Sequence, residues 1–304
     1  MIDTKVVDFF AHQCGARDKL IAEREVVLTY ALHLLSRRGV LDRLAFKGGT
    51  ALRKLVFGAG GRFSEDLDFT LRAGAKEDAA LALLDALDGK THYGITFGTT
   101  DFYETDGSFA TFVTYRHSWN DRGRFKLDVS TREAPTLPVV PRSHVKQPYF
   151  AELEFGPPPA VAALDPIEMI AEKARAAFQR AKVRDVYDLF LYATLPGTKA
   201  FDVECLRALV VLKLWQVREP EPFGAALFAK LRSGRYDWNE LNHLLPPGKT
   251  VEVGHLLTTL EDRFQSVAML TDLERRVVAD SPSGWNHALV EELRAHILNR
   301  ANRQ

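Results

Sequence analysis

The chain has 304 residues, of which 46% are hydrophobic and 26% are charged, a composition that is typical of globular proteins and excludes fibrous and disordered classes. Lys plus Arg and Asp plus Glu both number 40, so the formal charge is zero. This balance predicts no global attraction to nucleic acid or membranes, and any anion site must come from local clustering.

The cysteines and the N-terminal residues bear on where in the cell the protein is located. Cys14 and Cys205 are too few and too far apart for a disulfide framework, and no Cys or His lies at zinc-ligand spacing. The first residues lack a signal-peptide pattern, and no window is apolar for long enough to cross a bilayer. We expect a cytoplasmic protein with no membrane partner.

Apolar residues recur at helical spacing from Arg17 to Arg38, and Gly39 follows where a helix would end. Beyond this helix, short apolar runs and Gly-rich turns alternate, which predicts a mixed α/β domain. The predicted elements are a strand over 41–46, a helix over 50–57, a loop over 58–62, a strand over 67–71, a helix over 79–89 and strands over 93–99, 109–116 and 124–131.

A run of three prolines within residues 156–164 can continue neither a helix nor a central strand and predicts a domain boundary. After it, Asp165, Pro166 and Glu168 occupy the N-cap, N1 and N3 positions of a helix. Nearly all later segments have helical periodicity. We therefore predict an α+β fold: a mixed α/β domain over 1–155, a Pro-rich linker over 156–164 and a helical domain over 165–304.

Two aspartates indicate metal chemistry, one directly before the predicted strand over 67–71 and one within it. Asp66 and Asp68 flank Leu67, so their carboxylates share one face of the strand, with Cβ atoms about 6–7 Å apart. That spacing suits Mg²⁺ ions in a phosphoryl-transfer site, because Mg²⁺ prefers oxygen ligands. Asp128 alternates in the same way in its own strand and is a candidate third carboxylate that could bind metal or accept a proton.

A Gly-Gly-Thr turn precedes these acids. Gly48 and Gly49 would let a phosphate approach the backbone, and Thr50 would offer a hydroxyl at a helix N-terminus. The turn is not a Walker A loop, because the chain contains no G-x-x-x-x-G-K-[ST]. Further candidate nucleotide-binding residues lie close by in sequence: Arg53, Lys54 and Ser64.

The segments "FKGGTALRKL" and "RFSEDLDF" resemble the signature of the DNA polymerase beta nucleotidyltransferase superfamily, and more narrowly that of the AbiEii/MenT toxins of bacterial toxin–antitoxin systems. A later segment, "EMIAEKARAAFQRAKVRDVYDLF", resembles the second block of that family. The resemblance implies Mg²⁺, an NTP substrate and a cognate antitoxin encoded alongside. It also implies transfer of nucleotides to the 3′ acceptor end of tRNA, which blocks aminoacylation and translation.

The second block predicts a basic stripe, if its helix is continuous, that includes Lys173 and Arg184. By the resemblance, Lys173 is a catalytic candidate that could hold the triphosphate and complete the nucleotide cleft. Asp185 and Asp188 could position Arg184 or the nucleotide. A turn between residues 180 and 185 would change which residues face each other.

Several alternatives remain open at the level of sequence. The acceptor could be a protein or small molecule instead of tRNA, or the chain could be a non-catalytic nucleotide- or RNA-binding module. The base of the NTP is not determined, with CTP one candidate. Ser64 could cap its loop, bind nucleotide or, if phosphorylated, repel the incoming triphosphate because it lies two residues before Asp66.

Overall fold

A computed structural model describes residues 2–16, 18–180, 182–195, 202–217, 225–234, 236–246, 248–280 and 285–302. The chain divides into two compact units, Met1–Leu164 with Asn242–Lys249 and Asp165–Leu241 with Thr250–Gln304. No helix in the described ranges is both long and apolar enough to cross a membrane.

The first unit combines four helices with one eight-stranded sheet in its described residues. Its helices are α1 (Thr4–Cys14), α2 (Lys19–Arg37), α3 (Gly48–Leu52) and α4 (Lys76–Leu87). Its strands are β1 (Leu44–Lys47), β2 (Leu67–Leu71), β3 (Thr91–His92), β4 (Ile95–Thr105), β5 (Ser108–His117), β6 (Asn120–Ser130), β7 (Val140–Arg142) and β8 (Val161–Ala163).

The sheet is mixed, with strand order β3-β4-β5-β6-β2-β1-β8-β7. Strands β4, β5 and β6 form an antiparallel meander, whereas β2 runs parallel to β6 and antiparallel to β1. Apolar residues of alternate strand positions fill the core, including Phe69, Leu127 and Val129, each 0% exposed. The predicted α+β fold is confirmed.

Local signals predicted the main elements of this unit. Helix α2 ends at Arg37, and Gly39 follows with φ +71°, a left-handed conformation that glycine adopts without steric cost. Strand β2 has the predicted bounds. The predicted helix over 50–57 instead begins at Gly48 and widens into a π-helical turn over Arg53–Phe57. The predicted linker over 156–164 contributes β8, which pairs with β1 and β7.

The second unit is helical throughout its described residues. Its helices are α5 (Pro166–Gln179), α6 (Val183–Thr194), α7 (Val203–Gln216), α8 (Ala225–Ser233), α9 (Val253–Phe264), α10 (Asp272–Asp280) and α11 (His287–Ala301). Asp165 caps α5 as predicted, since its side chain accepts a hydrogen bond from the Ile167 amide. The second block does not form one continuous helix, because α5 ends at Gln179 and α6 begins at Val183, so the basic stripe expected of a continuous helix is not formed.

Candidate functional site

The three predicted aspartates lie together on the central strands of the sheet. Because β2 pairs with β6 in parallel, Asp68 is directly opposite Asp128. Asp66 precedes β2, and its carboxylate accepts a 3.4 Å hydrogen bond from the Lys126 amide of β6. All three are partly exposed to solvent. The structure therefore brings Asp128 close to Asp66 and Asp68, which precede it by about sixty residues in sequence.

Lys126 is a site residue that sequence reasoning did not single out. Its Nζ lies 2.7 Å from Asp128 Oδ2. Burial acts to lower the pKa of this lysine, but hydrogen bonds with Asp128 and Tyr103 outweigh burial and raise it. Lys126 is therefore a fixed positive charge beside the acids. The alternation of β6 places it on the face of Asp128, which is the signal that could have identified it.

The Gly-Gly-Thr turn lies directly against the acids. Gly48 has φ +82°, and a Cβ at this position would lie only 2.1 Å from Asp68 Oδ2. The Thr50 hydroxyl donates a hydrogen bond to the Asp66 carbonyl oxygen. Thr50 thus joins the turn to the acidic segment, a role different from the predicted phosphate contact of its hydroxyl.

Arg62 and Ser64 flank the second glycine of the turn. A Cβ at Gly49 would lie 2.5 Å from Arg62 Nη2 and 3.3 Å from Ser64 Oγ. Both side chains are largely buried, with Arg62 5% and Ser64 8% exposed. Arg62 therefore adds positive charge next to the turn, and the Ser64 hydroxyl lies against the same glycine.

Arg53 and Lys54 lie in the interior, each 1% exposed. Arg53 Nε is 3.0 Å from Glu25 Oε2, and Lys54 Nζ is 2.8 Å from Glu25 Oε1. Lys54 also donates to the Thr29 hydroxyl, and Arg53 donates to the Gly61 carbonyl oxygen. These contacts favour a structural role over the predicted nucleotide contact, because they anchor the π-helical turn that follows α3.

Glu25 was missed by sequence reasoning, although a signal existed. It lies four residues after Ile21 and three before Leu28, on the apolar stripe of α2, where a lone acid implies a buried partner. Burial acts to raise the pKa of Glu25, but Lys54 and Arg53 outweigh burial and lower it from 4.5 to about 2. Glu25 is therefore a permanent buried anion at neutral pH.

In the second unit, the break between α5 and α6 brings Lys173 to two acids. Lys173 Nζ is 2.9 Å from Asp185 Oδ1 and 3.0 Å from Asp188 Oδ2. Arg180 Nε lies 2.9 Å from Asp185 Oδ2, the other carboxylate oxygen of that residue. Arg184 is half-buried. Burial acts to raise the pKa of Asp185, but Lys173 and Arg180 outweigh burial and lower it to about 2. The two acids thus hold Lys173 in one position.

The acids of the first unit fit a magnesium site that shares its ligands with a nucleotide. Within the described ranges, no three His, Cys, Asp or Glu side chains form a ready-made metal cage. Mg²⁺ is commonly held by one or two carboxylates together with substrate phosphates and water. Asp66 and Asp68 supply two carboxylates of that kind. The third acid, Asp128, lies 2.7 Å from Lys126.

Comparison with known proteins identifies the family of this chain. The family model described as "Nucleotidyl transferase AbiEii toxin, Type IV TA system" matches residues 31–250, most of the chain. The chain belongs to the AbiEii/MenT family. This family membership makes it a nucleotidyltransferase toxin that uses an NTP and acts in a toxin–antitoxin system, with an antitoxin as partner.

A solved relative has the same fold along its whole length. MenT4, a nucleotidyltransferase toxin from Mycobacterium tuberculosis H37Rv, is 25% identical and superposes with a TM-score of 0.80. The match covers 98% of this AbiEii/MenT chain and 100% of the MenT4 chain. A search of curated protein sequences found no match.

The glycine turn of this AbiEii/MenT chain gives a first prediction. Gly48→Ala should lower the free energy of unfolding by about 1–3 kcal/mol, because alanine is strained at φ +82° and its Cβ would displace Asp68. Gly60→Ala is the matched control, since a Cβ there meets no atom within 4 Å. Urea denaturation of both variants measures the difference, and equal stability would contradict the close approach.

The buried anion gives a second prediction. Glu25→Gln should lower the free energy of unfolding by about 3–5 kcal/mol at neutral pH, because two buried cations lose their counter-ion. Glu65→Gln is the control: its pair with Arg24 is partly exposed, so about 0–1 kcal/mol is expected. Urea denaturation at neutral pH measures both.

The same anion predicts a pH dependence of stability. The pKa of Glu25 is depressed in the folded state, so its contribution is complete above about pH 4.5 and is lost as pH falls towards about 2. Denaturation curves across this range should show a steeper loss in wild type than in Glu25→Gln. Identical slopes would argue against the depressed pKa.

Proposed function

We propose that the chain transfers a nucleoside monophosphate from an NTP to the 3′ acceptor end of tRNA, which blocks aminoacylation and inhibits translation. The observation that carries the proposal is the meeting of Asp66, Asp68 and Asp128 beside the Gly48–Gly49 turn. This arrangement combines carboxylates that can hold metal ions with a glycine turn and the Arg62 guanidinium, which can offset phosphate charge.

The reaction joins the acceptor hydroxyl oxygen to the α-phosphorus of the NTP, while the bond from that phosphorus to the bridging oxygen of the β-phosphate breaks. Pyrophosphate is the leaving group. Asp128 accepts the hydroxyl proton, since it lies opposite Asp68 on the neighbouring strand. Arg62 and the backbone of Gly48 and Gly49 offset negative charge on the phosphates.

We propose Mg²⁺ as the cofactor, held by Asp66 and Asp68 together with NTP phosphates. When bound, Mg²⁺ lowers the negative charge on the phosphates and aligns the attacking and leaving oxygens. Two hydrogen bonds orient Asp66 for this role. The Lys126 amide donates to its carboxylate, and the Thr50 hydroxyl donates to its carbonyl oxygen. Because Gly48 has no Cβ, the Asp68 carboxylate can lie directly against it.

We further propose that Lys173 binds the triphosphate. Its side chain is 13% exposed, and two nearly buried acids hold its ammonium group, so the position of that group is fixed before the nucleotide arrives. Such preorganisation reduces the entropy that would otherwise be lost on binding. Asp185 and Asp188 act in this proposal as positioning residues for Lys173.

The Ser64 phosphorylation switch stays a prediction. The hydroxyl lies next to Gly49 and Arg62, so a phosphate there would compete with the NTP for the same positive charge. The side chain is only 8% exposed, so a modifying enzyme would need the segment around Ser64 to open.

Labelled nucleotides test the transfer reaction. Wild type with Mg²⁺, total tRNA and each radiolabelled NTP in turn should produce labelled tRNA. Asp66→Asn and Asp68→Asn should reduce the rate by more than about a hundredfold, because each removes a carboxylate that holds the metal. Asp85→Asn, an exposed acid on α4, is the control and should keep the wild-type rate.

The position of the label separates the alternatives. Label in a protein or small molecule would make the chain a nucleotidyltransferase of another acceptor. Bound NTP without pyrophosphate release would indicate a non-catalytic module. Transfer that survives in Asp66→Asn would refute the proposed role of the acids.

The role of Lys173 is tested by steady-state kinetics. Lys173→Arg keeps the charge but changes its geometry, and we expect a KM for NTP raised by about tenfold or more, with a smaller change in kcat. Lys182→Arg is the matched control, since Lys182 is exposed and lies 3.5 Å from Glu240. Unchanged kinetics in a folded Lys173→Arg protein would make the lysine purely structural.

A further inference from the structure

The sheet face that bears the acids continues across β5 and β4. Asp128 is opposite Ala110 of β5, and Ala110 is opposite Tyr103 of β4. Residues that pair directly in a sheet have side chains on the same face. Asp68, Asp128, Ala110 and Tyr103 thus form one row across four strands, which we call the site row.

A second row runs parallel to the first. Lys126 is opposite Phe112, and Phe112 is opposite Thr100. Arg124 belongs to the same face two residues before Lys126, and its guanidinium carbon lies 3.6 Å from the centre of the Phe112 ring. The acids therefore border a surface in which aromatic and basic side chains are interleaved.

A β-bulge in β4 is what places Tyr103 on this face. Thr100 and Tyr103 are three residues apart and would face opposite sides of a regular strand. The register shifts between them, and Asp101 has φ +53°, so the extra residue turns Tyr103 back to the side of Thr100. Asp101 is held in this conformation by Arg124, whose Nη2 is 3.0 Å from Asp101 Oδ2.

The surface is open to solvent and carries several basic side chains. Tyr103 is 42% exposed, and the Arg124 side chain is 49% exposed. Lys126 Nζ lies 5.4 Å from the centre of the Tyr103 ring, and Arg116 lies on the same face, opposite Thr96. Exposed aromatic rings beside guanidinium and ammonium groups are typical of surfaces that stack nucleobases and bind phosphates.

We infer that the face formed by Tyr103, Phe112 and Arg124 binds the single-stranded 3′ segment of the RNA acceptor. Its bases stack on Tyr103 and on the Arg124–Phe112 pair, and its phosphates contact Arg124 and Arg116. Tyr103 is two strands from Asp128, about 10 Å by strand spacing, so bound nucleotides lead towards the acids. The inference rests on the proposed RNA acceptor and names where that acceptor binds.

Binding without chemistry tests this inference. The probe is a fluorescein-labelled single-stranded RNA of about ten nucleotides, titrated with the full-length chain in the absence of NTP and followed by anisotropy. Tyr103→Ala and Arg124→Gln should each raise the Kd by about five- to a hundredfold, the range expected for the loss of one stacked base. Tyr103→Phe keeps the ring and should bind like wild type.

Arg43→Gln is the control for charge. Arg43 is 44% exposed and paired with Asp78, much as Arg124 is exposed and paired with Asp101, but it precedes β1 at the end of that strand away from Gly48. Its Kd should match that of wild type. Thermal unfolding of every variant checks the fold, and Tyr103→Leu replaces Tyr103→Ala if the alanine variant is unstable.

The outcomes separate this inference from the proposed function. A wild-type chain that does not bind the probe, or variants that bind as tightly as wild type, would overturn the inference even if tRNA becomes labelled. Equal losses of RNA affinity in Arg124→Gln and Arg43→Gln would mean that only the net charge of the protein matters, and this result would also overturn the inference. Selective losses in the Tyr103 and Arg124 variants without any label transfer would support the RNA site and refute the transfer reaction.

Discussion

The parallel pairing of β2 with β6 is the constraint on which the candidate site depends. One register sets Asp68 opposite Asp128 and brings the Lys126 amide to Asp66. The antiparallel pairs that follow carry the same register to Ala110 and Tyr103. A shift of this pairing by one residue would send the acids of one strand to the opposite face, so the site and its neighbouring surface form or fail together.

Clusters of buried ion pairs fix the positions of helical residues that lie outside the sheet. In the first unit, Glu25 of α2 binds Arg53 and Lys54, which follow α3, and so fixes the helix that begins at Gly48. In the second unit, Asp185 and Asp188 hold Lys173. Buried charges are costly unless each has its partner, so both clusters specify one arrangement rather than several.

The basic residues of the two clusters differ in how far they are exposed to solvent. Arg53 and Lys54 are each 1% exposed and bind Glu25 in the interior, so they stabilise the turn. The Lys173 side chain is 13% exposed, so this lysine is less completely enclosed than Arg53 and Lys54. Basic residues that are equally close to a motif in sequence can therefore have opposite roles, and burial separates them.

Local chemistry determined much of this protein from the sequence alone. Alternation predicted β2 to the residue, and Asp165 and Gly39 marked helix ends. The phosphate and metal chemistry inferred from two glycines followed by Asp66 and Asp68 stays a prediction. These signals depend on contacts within a few residues, which periodicity and capping describe well. The family resemblance, carried by the same residues, was confirmed by the match over 31–250.

Only the tertiary structure decided which distant residues meet. Asp128 joins Asp68 through a strand register, Tyr103 reaches their face through a one-residue bulge, and Glu25 captures two cations that looked available for nucleotide. The break between α5 and α6 likewise replaced a continuous stripe with a compact cluster around Lys173. Pairing registers, bulges and buried ion pairs arise from contacts between segments far apart in the chain, and local periodicity carries no information about those contacts.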